Sequence, residues 1–418
     1  MMMGRTRTPR TALYLDFDAP PEVDMSQNAY SDPDAGPFLR DCLLGRSLSA
    51  GSFGAAFRIA RDANDNGQND ALVREWVIKL PRALLKHGLY PRDDTSGPDV
   101  YLGDAIETMG VSANTRNRAF ADFEAEFENA EAILEPPTFR RANQGGGRIV
   151  RMLAHNWDRL MDQRDQWKAL AGYKHLHPVL HYEASLPALI SARADGTLFE
   201  LRQERFYLYA LCLQPNGDAH GVWYDLARQI TSAVTFILAC TPLAHIDIKL
   251  SNIFFTRIAA GQGHTVLLQL GDYGMCRPKE DTVGRYTWNG TPPYNPLEAP
   301  GRLATITYAA QSVFQLAASL FAILRMPPPR GGGGPARVFP GNDGRLICQY
   351  AIEEDMTVLK ADSAPQIVCD MLRVDPFAHG ADDALRDRLF RALKDKLGVT
   401  TPVYMQRPGE RRPRDTAP

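Results

Sequence analysis

The feature that most constrains this chain is a pair of polar motifs set within apolar sequence in its second half. The first, HIDIKLSN, contains His245, Asp247, Lys249 and Asn252 and is followed by the apolar residues IFF. The second, LGDYG, contains Asp272, twenty residues after Asn252. A cluster of Asp, Lys and Asn can simply cap a turn. Four polar positions in this order, followed at this spacing by a second carboxylate, instead indicate a chemical site.

Two segments of the first half carry further candidates. LSAGSFGAAF places Gly51 and Gly54 on a turn between predicted strands, where backbone N–H groups can approach phosphate oxygens without interference from a Cβ atom. A β-hairpin turn with two glycines would look the same. Lys79 follows in VIKL, twenty-five residues after Gly54, and the polar stretch RDANDNGQND between them predicts an inserted hairpin tip.

Taken in order, these segments resemble the motifs of eukaryotic-type protein kinases. LSAGSFGAAF is similar to the glycine loop GxGxxG, although Ser49 replaces the first glycine, and VIKL is similar to the VAIK strand. HIDIKLSN resembles the catalytic loop HRDxKxxN, and DYG resembles DFG with another aromatic ring. The resemblance covers about residues 40–400. It implies that ATP is bound by the residues Gly51, Ser52, Phe53, Gly54 and Lys79.

The same resemblance assigns roles to the second-half motifs. It implies that Asp247 is the catalytic base, that Lys249 steadies the transferred phosphate, and that Asn252 and Asp272 bind Mg²⁺. The implied cofactors are ATP and Mg²⁺. GTPPYNPLE, at residues 290–298, resembles the end of an activation segment, GTxxYxAPE, with Thr291 matching. Lys249 and Thr291 together imply a protein substrate with a serine or threonine acceptor.

Two departures from the kinase pattern affect regulation. Ile246 replaces the Arg of HRD and so removes the charge that usually meets an activation-loop phosphate. Ser312, in SVFQLA, stands where the family has an Asp that braces the catalytic loop. Such divergence, with long insertions, is what we expect of a kinase from a large DNA virus.

A carboxylate partner for Lys79 is expected on a helix of the first lobe. An amphipathic helix is predicted from Phe120, Phe123, Phe127, Ala130 and Leu134, which are spaced three and four apart. It offers Glu124 and Glu128, and we predict Glu128. Asp165, on a second amphipathic stretch at residues 157–171, is the alternative, because LHPVLHYEAS follows that stretch closely and predicts a turn into a strand.

The pattern along the chain predicts an α+β, bilobal, protein-kinase-like fold with a small β-rich N-lobe and a larger helical C-lobe. Helices are predicted at about residues 223–237 and 308–325. The predicted units are an extended leader at residues 1–38, an N-lobe with insertions at 39–213, a C-lobe at 214–400, and a basic, proline-rich tail at 401–418.

Composition narrows the class of partner. A formal net charge of −2 gives no reason to expect nucleic acid or a membrane surface as a partner, and the apolar run at residues 312–324 is too short to span a bilayer. The six cysteines lack the clustering that a zinc site needs. We expect a soluble intracellular protein that resides in the cytoplasm or nucleus, which would be those of the host cell if the protein is viral. The sequence indicates no particular oligomeric state.

Two other functions fit the same motifs. A pseudokinase would keep the fold and bind nucleotide as a scaffold, and Ser49, Ile246 and Ser312 favour this alternative. A small-molecule kinase would share the HxD…N motif and the later Asp, but the segment at residues 290–298 argues against it.

Overall fold

The structure is a computed structural model. It describes residues 43–50, 54–60, 76–86, 100–106, 110–134, 172–183, 187–203, 219–260, 263–284, 288–296, 305–324, 346–353, 362–376 and 381–401. Several predictions concern positions outside these ranges: the leader, the loop residues Gly51, Ser52 and Phe53, the stretch at 157–171 with Asp165, the boundary at 213/214, and almost all of the tail.

The first lobe is built on a six-stranded antiparallel sheet with the order β4-β1-β2-β3-β6-β5. The strands are β1 (Leu43–Ala50), β2 (Gly54–Ala60), β3 (Trp76–Pro81), β4 (Val100–Tyr101), β5 (Val179–Glu183) and β6 (Ala188–Ala192). Side chains alternate along β3, since Ile78 and Leu80 are buried and Lys79 is only partly so. Lys79 therefore projects from the opposite face to its two apolar neighbours.

One long helix packs on this sheet. After a short helix α1 (Leu102–Ala105), helix α2 (Ala113–Leu134) begins one turn or more before the apolar pattern predicts. The reason is a cap: Ser112 Oγ accepts a hydrogen bond of 3.1 Å from the Thr115 amide, which satisfies a donor of the first turn. Phe123, Ala130 and Ile133 are buried on one face of α2, as the spacing of three and four requires.

The second lobe is mainly helical. Helix α3 (Leu198–Gln203) follows β6, and the helices after it are α4 (Ala219–Cys240), α5 (Tyr308–Leu324), α6 (Ile347–Glu353), α7 (Ala364–Arg373) and α8 (Ala381–Leu397). The helices predicted at 223–237 and 308–325 are confirmed as α4 and α5, and the strand predicted after LHP is confirmed as β5. One continuous apolar core includes residues of both lobes, such as Ile78 and Phe321.

The strands of the second lobe are short, apart from one hairpin. They are β8 (Leu243–Ala244), β9 (Ile253–Ala260), β10 (Gly263–Leu270), β11 (Arg277–Pro278), β12 (Thr282–Gly284) and β13 (Thr305–Thr307). Strand β7 (Gly196–Thr197), which precedes α3, pairs with β9. β9 pairs with β10 along their whole length, β11 with β8, and β12 with β13. The molecule is therefore α+β and bilobal, as predicted. Within the described part of the chain, no helix combines the length and apolar character that crossing a bilayer requires.

Candidate active site

The β9–β10 hairpin explains the twenty-residue spacing of the two polar motifs. Ile253 at its start pairs with Leu270 at its end, so the residues that flank the hairpin become neighbours. The Gly271 amide accordingly donates to the Asn252 carbonyl at 3.0 Å. Two motifs that are distant in sequence thus place Asn252 and Asp272 on adjoining segments of backbone, at the junction of the two lobes.

Lys79 of β3 joins the two lobes electrostatically. Its Nζ lies 2.8 Å from both carboxylate oxygens of Glu126 on α2 and 2.7 Å from Oδ1 of Asp272. The ammonium group also lies 5.7 Å from the centre of the Phe123 ring. One cation is therefore held between two carboxylates that come from different lobes.

The prediction of Glu128 as the partner of Lys79 is wrong; the partner is Glu126. Residues two apart on a helix point roughly 200° apart, so only one of them can face Lys79. Glu126 is 6% exposed, whereas Glu128 and Glu124 lie on the exposed side of α2. The sequence carried a usable signal, since position 126 lies three after Phe123 and four before Ala130 and so belongs to the buried stripe.

Burial and the neighbouring charges shift the pKa values of this trio. Burial alone would lower the pKa of Lys79, but the carboxylates of Asp272 and Glu126 outweigh it and the pKa is raised. Burial opposes ionisation of Asp272, yet Lys79 lowers the pKa of that carboxyl to about 2. Burial raises the pKa of Glu126 to about 7, although Lys79 acts in the opposite sense. Lys79 and Asp272 are thus held charged near neutral pH.

Asp272 adopts a backbone conformation that is uncommon outside glycine. Its φ of 64° and ψ of 69° lie in the left-handed region, which Asp tolerates better than most residues. Tyr273, the next residue, is completely buried, and its hydroxyl donates to the carbonyls of His177 at 3.0 Å and Leu270 at 2.9 Å. The anchored Tyr273 ring and the β10 strand end together fix the direction of the Asp272 carboxylate.

Asp247 is the centre of a second hydrogen-bond cluster. Its Oδ2 accepts from Lys249 Nζ at 2.5 Å and from Asn252 Nδ2 at 3.2 Å. Its Oδ1 accepts from the amide of Thr291 at 3.1 Å and from the hydroxyl of Thr291 at 2.9 Å. Lys249 Nζ also donates to Thr291 Oγ1 at 2.9 Å. Three residues that the sequence singled out therefore hold the Asp247 carboxylate in one orientation.

His245 links this cluster to the LGDYG motif. Its Nε2 lies 2.9 Å from the Gly271 carbonyl, and its ring meets that of Tyr273 edge-on at 6.0 Å between centroids. His245 is buried, and burial lowers its pKa. A neutral imidazole here joins the catalytic loop to the backbone next to Asp272 without adding charge to the site.

Asn252 and Asp272 supply the donor atoms that Mg²⁺ prefers. Asn252 Nδ2 donates to the Asp247 carbonyl at 2.9 Å, so the amide nitrogen is turned towards Asp247 and the amide oxygen points away from it. Asp272 contributes a carboxylate of depressed pKa. Hard oxygen ligands of this kind fit Mg²⁺. The part of the chain that the structure describes contains no group of three or more His, Cys, Asp and Glu side chains that could hold a metal ion.

The other predicted positions are placed as follows. Gly54 of β2 lies against β3, and a Cβ there would come within 3.0 Å of the Leu80 carbonyl and 3.1 Å of Lys79 Cε. Ile246 is fully buried, and Ser312 of α5 donates to the His245 carbonyl at 2.6 Å. Glu298 lies outside the described residues. Ser312 thus contacts the catalytic loop although it lacks a carboxylate.

Sequence reasoning missed three residues that contact the site region. Gln311, Gln315 and Ser319 of α5 hydrogen-bond to the backbone of the catalytic loop. Their spacing of four was readable, since polar residues at i, i+4 and i+8 in an otherwise apolar helix share one face.

The fold and site together define a protein-kinase-like architecture: an antiparallel sheet with one packed helix, a helical second lobe, and polar groups from both lobes meeting at their junction. No family model matches the chain, and no curated protein matches it. Similar solved structures include the ROP18 kinase domain in complex with AMP-PNP and sucrose. It is 16% identical, with 85% of this chain and 80% of that chain covered, at a TM-score of 0.44.

Proposed function

We propose that this protein is an ATP-dependent protein kinase that transfers the γ-phosphate of ATP to a serine or threonine hydroxyl of a protein substrate. The observation that carries the proposal is the convergence of two clusters at the lobe junction. Lys79 is held by Glu126 and Asp272, and the Asp247 carboxylate is oriented by Lys249 and Thr291. Phosphoryl transfer depends mainly on such positioning and charge stabilisation.

Each group has a defined task in the proposed reaction. ATP would supply the transferred phosphoryl group, and Asp272 and Asn252 would hold the Mg²⁺ that neutralises phosphate charge. Lys79 provides a fixed positive charge for the phosphates, kept in place by Glu126. Asp247 would orient the acceptor hydroxyl and accept its proton as the new O–P bond forms, while the bond between the γ-phosphorus and the β–γ bridging oxygen breaks and ADP leaves. Lys249 would stabilise the charge on the transferred group.

The serine/threonine assignment is supported by the Lys249–Thr291 contact. In the kinase pattern, tyrosine kinases usually lack the lysine at the position of Lys249. Here the Lys249 ammonium group donates to the hydroxyl of Thr291, in the segment that resembles the end of an activation segment. ATP is an intracellular cosubstrate, so the activity implies a location inside the cell.

The test compares the wild type with Asp247→Asn in the presence of labelled ATP, Mg²⁺ and a panel of serine and threonine peptides. We expect Asp247→Asn to lose peptide phosphorylation by about a thousandfold or more, since the general base is removed, while metal-dependent nucleotide binding stays within about threefold. Asp225→Asn, which removes a carboxylate paired with Arg228 on α4, is the matched control and should retain wild-type turnover.

The alternative to an enzyme is a nucleotide-binding pseudokinase. Ile246 and Ser312 are the departures that favour it. A wild-type protein that binds nucleotide with Mg²⁺ but phosphorylates no peptide of the panel would support the pseudokinase and contradict the proposal. Equal turnover of the wild type and Asp247→Asn would exclude Asp247 as the base.

A further inference from the structure

Helix α5 carries a polar face inside the core. Gln311, Gln315 and Ser319 are spaced by one turn each, and Ser312 is adjacent. All four side chains are 0% exposed. Burying an amide or hydroxyl is unfavourable unless it forms hydrogen bonds, so each of these residues requires a partner. The rest of the helix is apolar, which makes this polar face of α5 (residues 311, 312, 315 and 319) a specific feature.

The partners are backbone groups of the catalytic loop. Residues 245–249 form no helix or strand, so their buried N–H and C=O groups need partners from elsewhere. The polar face of α5 supplies these hydrogen bonds: Ser312 Oγ to the His245 carbonyl at 2.6 Å, Gln311 Nε2 to the Ile246 carbonyl at 3.4 Å, the Ile248 amide to Gln315 Oε1 at 3.1 Å, and Ser319 Oγ to the Ile248 carbonyl at 3.1 Å.

Gln311 Nε2 donates to the carbonyls of both Ile246 and Asn289, whereas its Oε1 accepts no hydrogen bond from the described residues. Gln315 contacts the same two segments and, unlike Gln311, also accepts a hydrogen bond from an amide of the catalytic loop. Its Oε1 must face the Ile248 amide, which is a donor, and its Nε2 therefore faces the carbonyl of Asn289, at 3.5 Å. Gly290 makes this approach possible: a Cβ at that position would lie 2.5 Å from Gln315 Nε2. The Gln315 amide thus bridges the catalytic loop and the segment that leads into Thr291.

The two bridged segments are the ones that orient Asp247. Ile248 follows Asp247 directly, and Asn289 precedes Thr291 by two residues. Thr291 donates both its amide and its hydroxyl to Asp247 Oδ1. We propose that Gln315 is a positioning residue that fixes the catalytic loop against the segment at residues 289–291. In this position Thr291 can orient the Asp247 carboxylate. This inference rests on the proposed kinase function.

The side chain of Gln315 carries no charge, which suits its position behind two carboxylates. Asp247 and Asp272 are both carboxylates, and another negative charge behind the loop would oppose their ionisation. A glutamine supplies one acceptor and one donor without that charge. Glutamate at the same position would keep the acceptor for Ile248 but would set an oxygen against the Asn289 carbonyl. Protonation of that glutamate would restore a donor.

The experiment uses three variants of the full chain. Gln315→Met removes both hydrogen bonds at similar volume, and Gln315→Glu makes the contact dependent on pH. Gln229→Met is the matched control, because buried Gln229 makes the same pair of bonds, to the Val266 carbonyl at 3.0 Å and from the Leu268 amide at 2.8 Å, on strand β10 instead of the catalytic loop. Folded fraction is measured by thermal unfolding, and amide hydrogen exchange is followed by residue.

The expected result is a specific loss at Gln315. With rates corrected for folded fraction, kcat of Gln315→Met should fall by about tenfold or more, with KM for ATP within about twofold, while Gln229→Met keeps the wild-type kcat. Exchange of the Ile248 and Thr291 amides should be faster in Gln315→Met and unchanged in Gln229→Met. For Gln315→Glu, the ratio of its kcat to the wild-type value should rise as the pH is lowered.

Other outcomes would overturn the inference without ambiguity. Equal kcat and equal exchange in Gln315→Met and Gln229→Met would show that Gln315 is merely structural. If Gln315→Met does not fold, a pH-independent kcat ratio for Gln315→Glu has the same meaning. A wild type without peptide phosphorylation contradicts the proposed function alone, because the exchange of Ile248 and Thr291 still tests whether Gln315 holds these two segments together.

Discussion

At the scale of single residues, the site is defined by which side chains are ionised near neutral pH. Lys79 lies between two carboxylates whose pKa values move in opposite directions, with Asp272 lowered to about 2 and Glu126 raised to about 7. Burial is the largest influence on both carboxyls: it outweighs Lys79 at Glu126, whereas at Asp272 the charge and hydrogen bond of Lys79, together with the charge of Lys249, outweigh burial. Near neutral pH, Glu126 is therefore the member of this trio whose protonation changes.

This difference predicts how stability depends on pH. The folded-state pKa of Glu126 lies above its unfolded value of about 4.5, so the folded state binds more protons between about pH 4.5 and 7. The contribution of Glu126 to the free energy of unfolding is fully present below pH 4.5 and is lost as the pH rises through 7. A loss on the order of 1–3 kcal/mol is expected across that range. Urea unfolding of the wild type and of Glu126→Gln at a series of pH values measures it.

Glu128→Gln is the control for this measurement. It removes a carboxylate from the same helix two residues away, on the exposed side of α2. The difference between wild type and Glu126→Gln should vary with pH, and the difference between wild type and Glu128→Gln should not. A difference for Glu126→Gln that is constant from pH 4.5 to 7 would contradict the assignment of the raised pKa to this residue.

At the scale of elements, the β9–β10 hairpin and helix α5 build the site together. The hairpin brings Asn252 beside Gly271. Helix α5 supports the catalytic loop from behind, through side chains that bond to its backbone. At Gly290 the segment that leads into Thr291 passes close to both α5 and the catalytic loop, since a Cβ there would meet Gln315 Nε2 and the Ile246 carbonyl.

This close approach predicts a large effect of a single methyl group. Gly290→Ala should lower kcat/KM by about tenfold or more, because a Cβ would lie 2.9 Å from the Ile246 carbonyl, where a backbone atom must shift. Gly110→Ala is a matched control: Gly110 also has a positive φ, of 83° against 114° for Gly290, but a Cβ there meets nothing within 4 Å. Gly110→Ala should have a lower free energy of unfolding, because of backbone strain, and should keep the wild-type kcat/KM. Equal kcat/KM values for the two variants would show that the contact at Gly290 does not matter.

At the scale of the whole molecule, the segment after Asp272 is held to the second lobe by strand pairing and apolar burial. β11 pairs with β8, and β12 pairs with β13. Val283 and Ile306 are buried against each other beside the half-buried Trp288. Ile246 offers no charge to a phosphate in this segment, because it is apolar and 0% exposed. These contacts hold the described parts of the segment against the second lobe without a phosphate.

The arrangement predicts that the protein is active as synthesised. Replacing Thr282, Tyr286 and Thr287 together by Ala, Phe and Ala should leave kcat/KM within about threefold of the untreated wild type. Thr282 is exposed, and the other two positions lie outside the described residues. Phosphatase treatment of the wild type should have equally little effect. A loss of more than about tenfold in both the variant and the treated wild type, ~1.4 kcal/mol of transition-state stabilisation, would show that loop phosphorylation is required. Arg277 or Arg285 would then be the candidate phosphate partner.

What the sequence by itself determined is the set of elements and the chemical groups at the site. The spacing of three and four in α2 and α4 was enough to predict these two helices, because burial of one helical face leaves a local periodic pattern. The order of the polar motifs was enough to select Lys79, Asp247 and Asp272, because the residue type itself carries the chemistry.

Only the tertiary structure decided which groups meet. The sequence offered several carboxylates for Lys79, and the rotation of α2 about its axis selected Glu126 over Glu128. It did not reveal that Gln315 bridges the Ile248 amide and the Asn289 carbonyl, because these contacts join segments dozens of residues apart. Such choices depend on how one packed element faces another. Neither local periodicity nor residue type records that orientation, since it is fixed by the burial of the whole core.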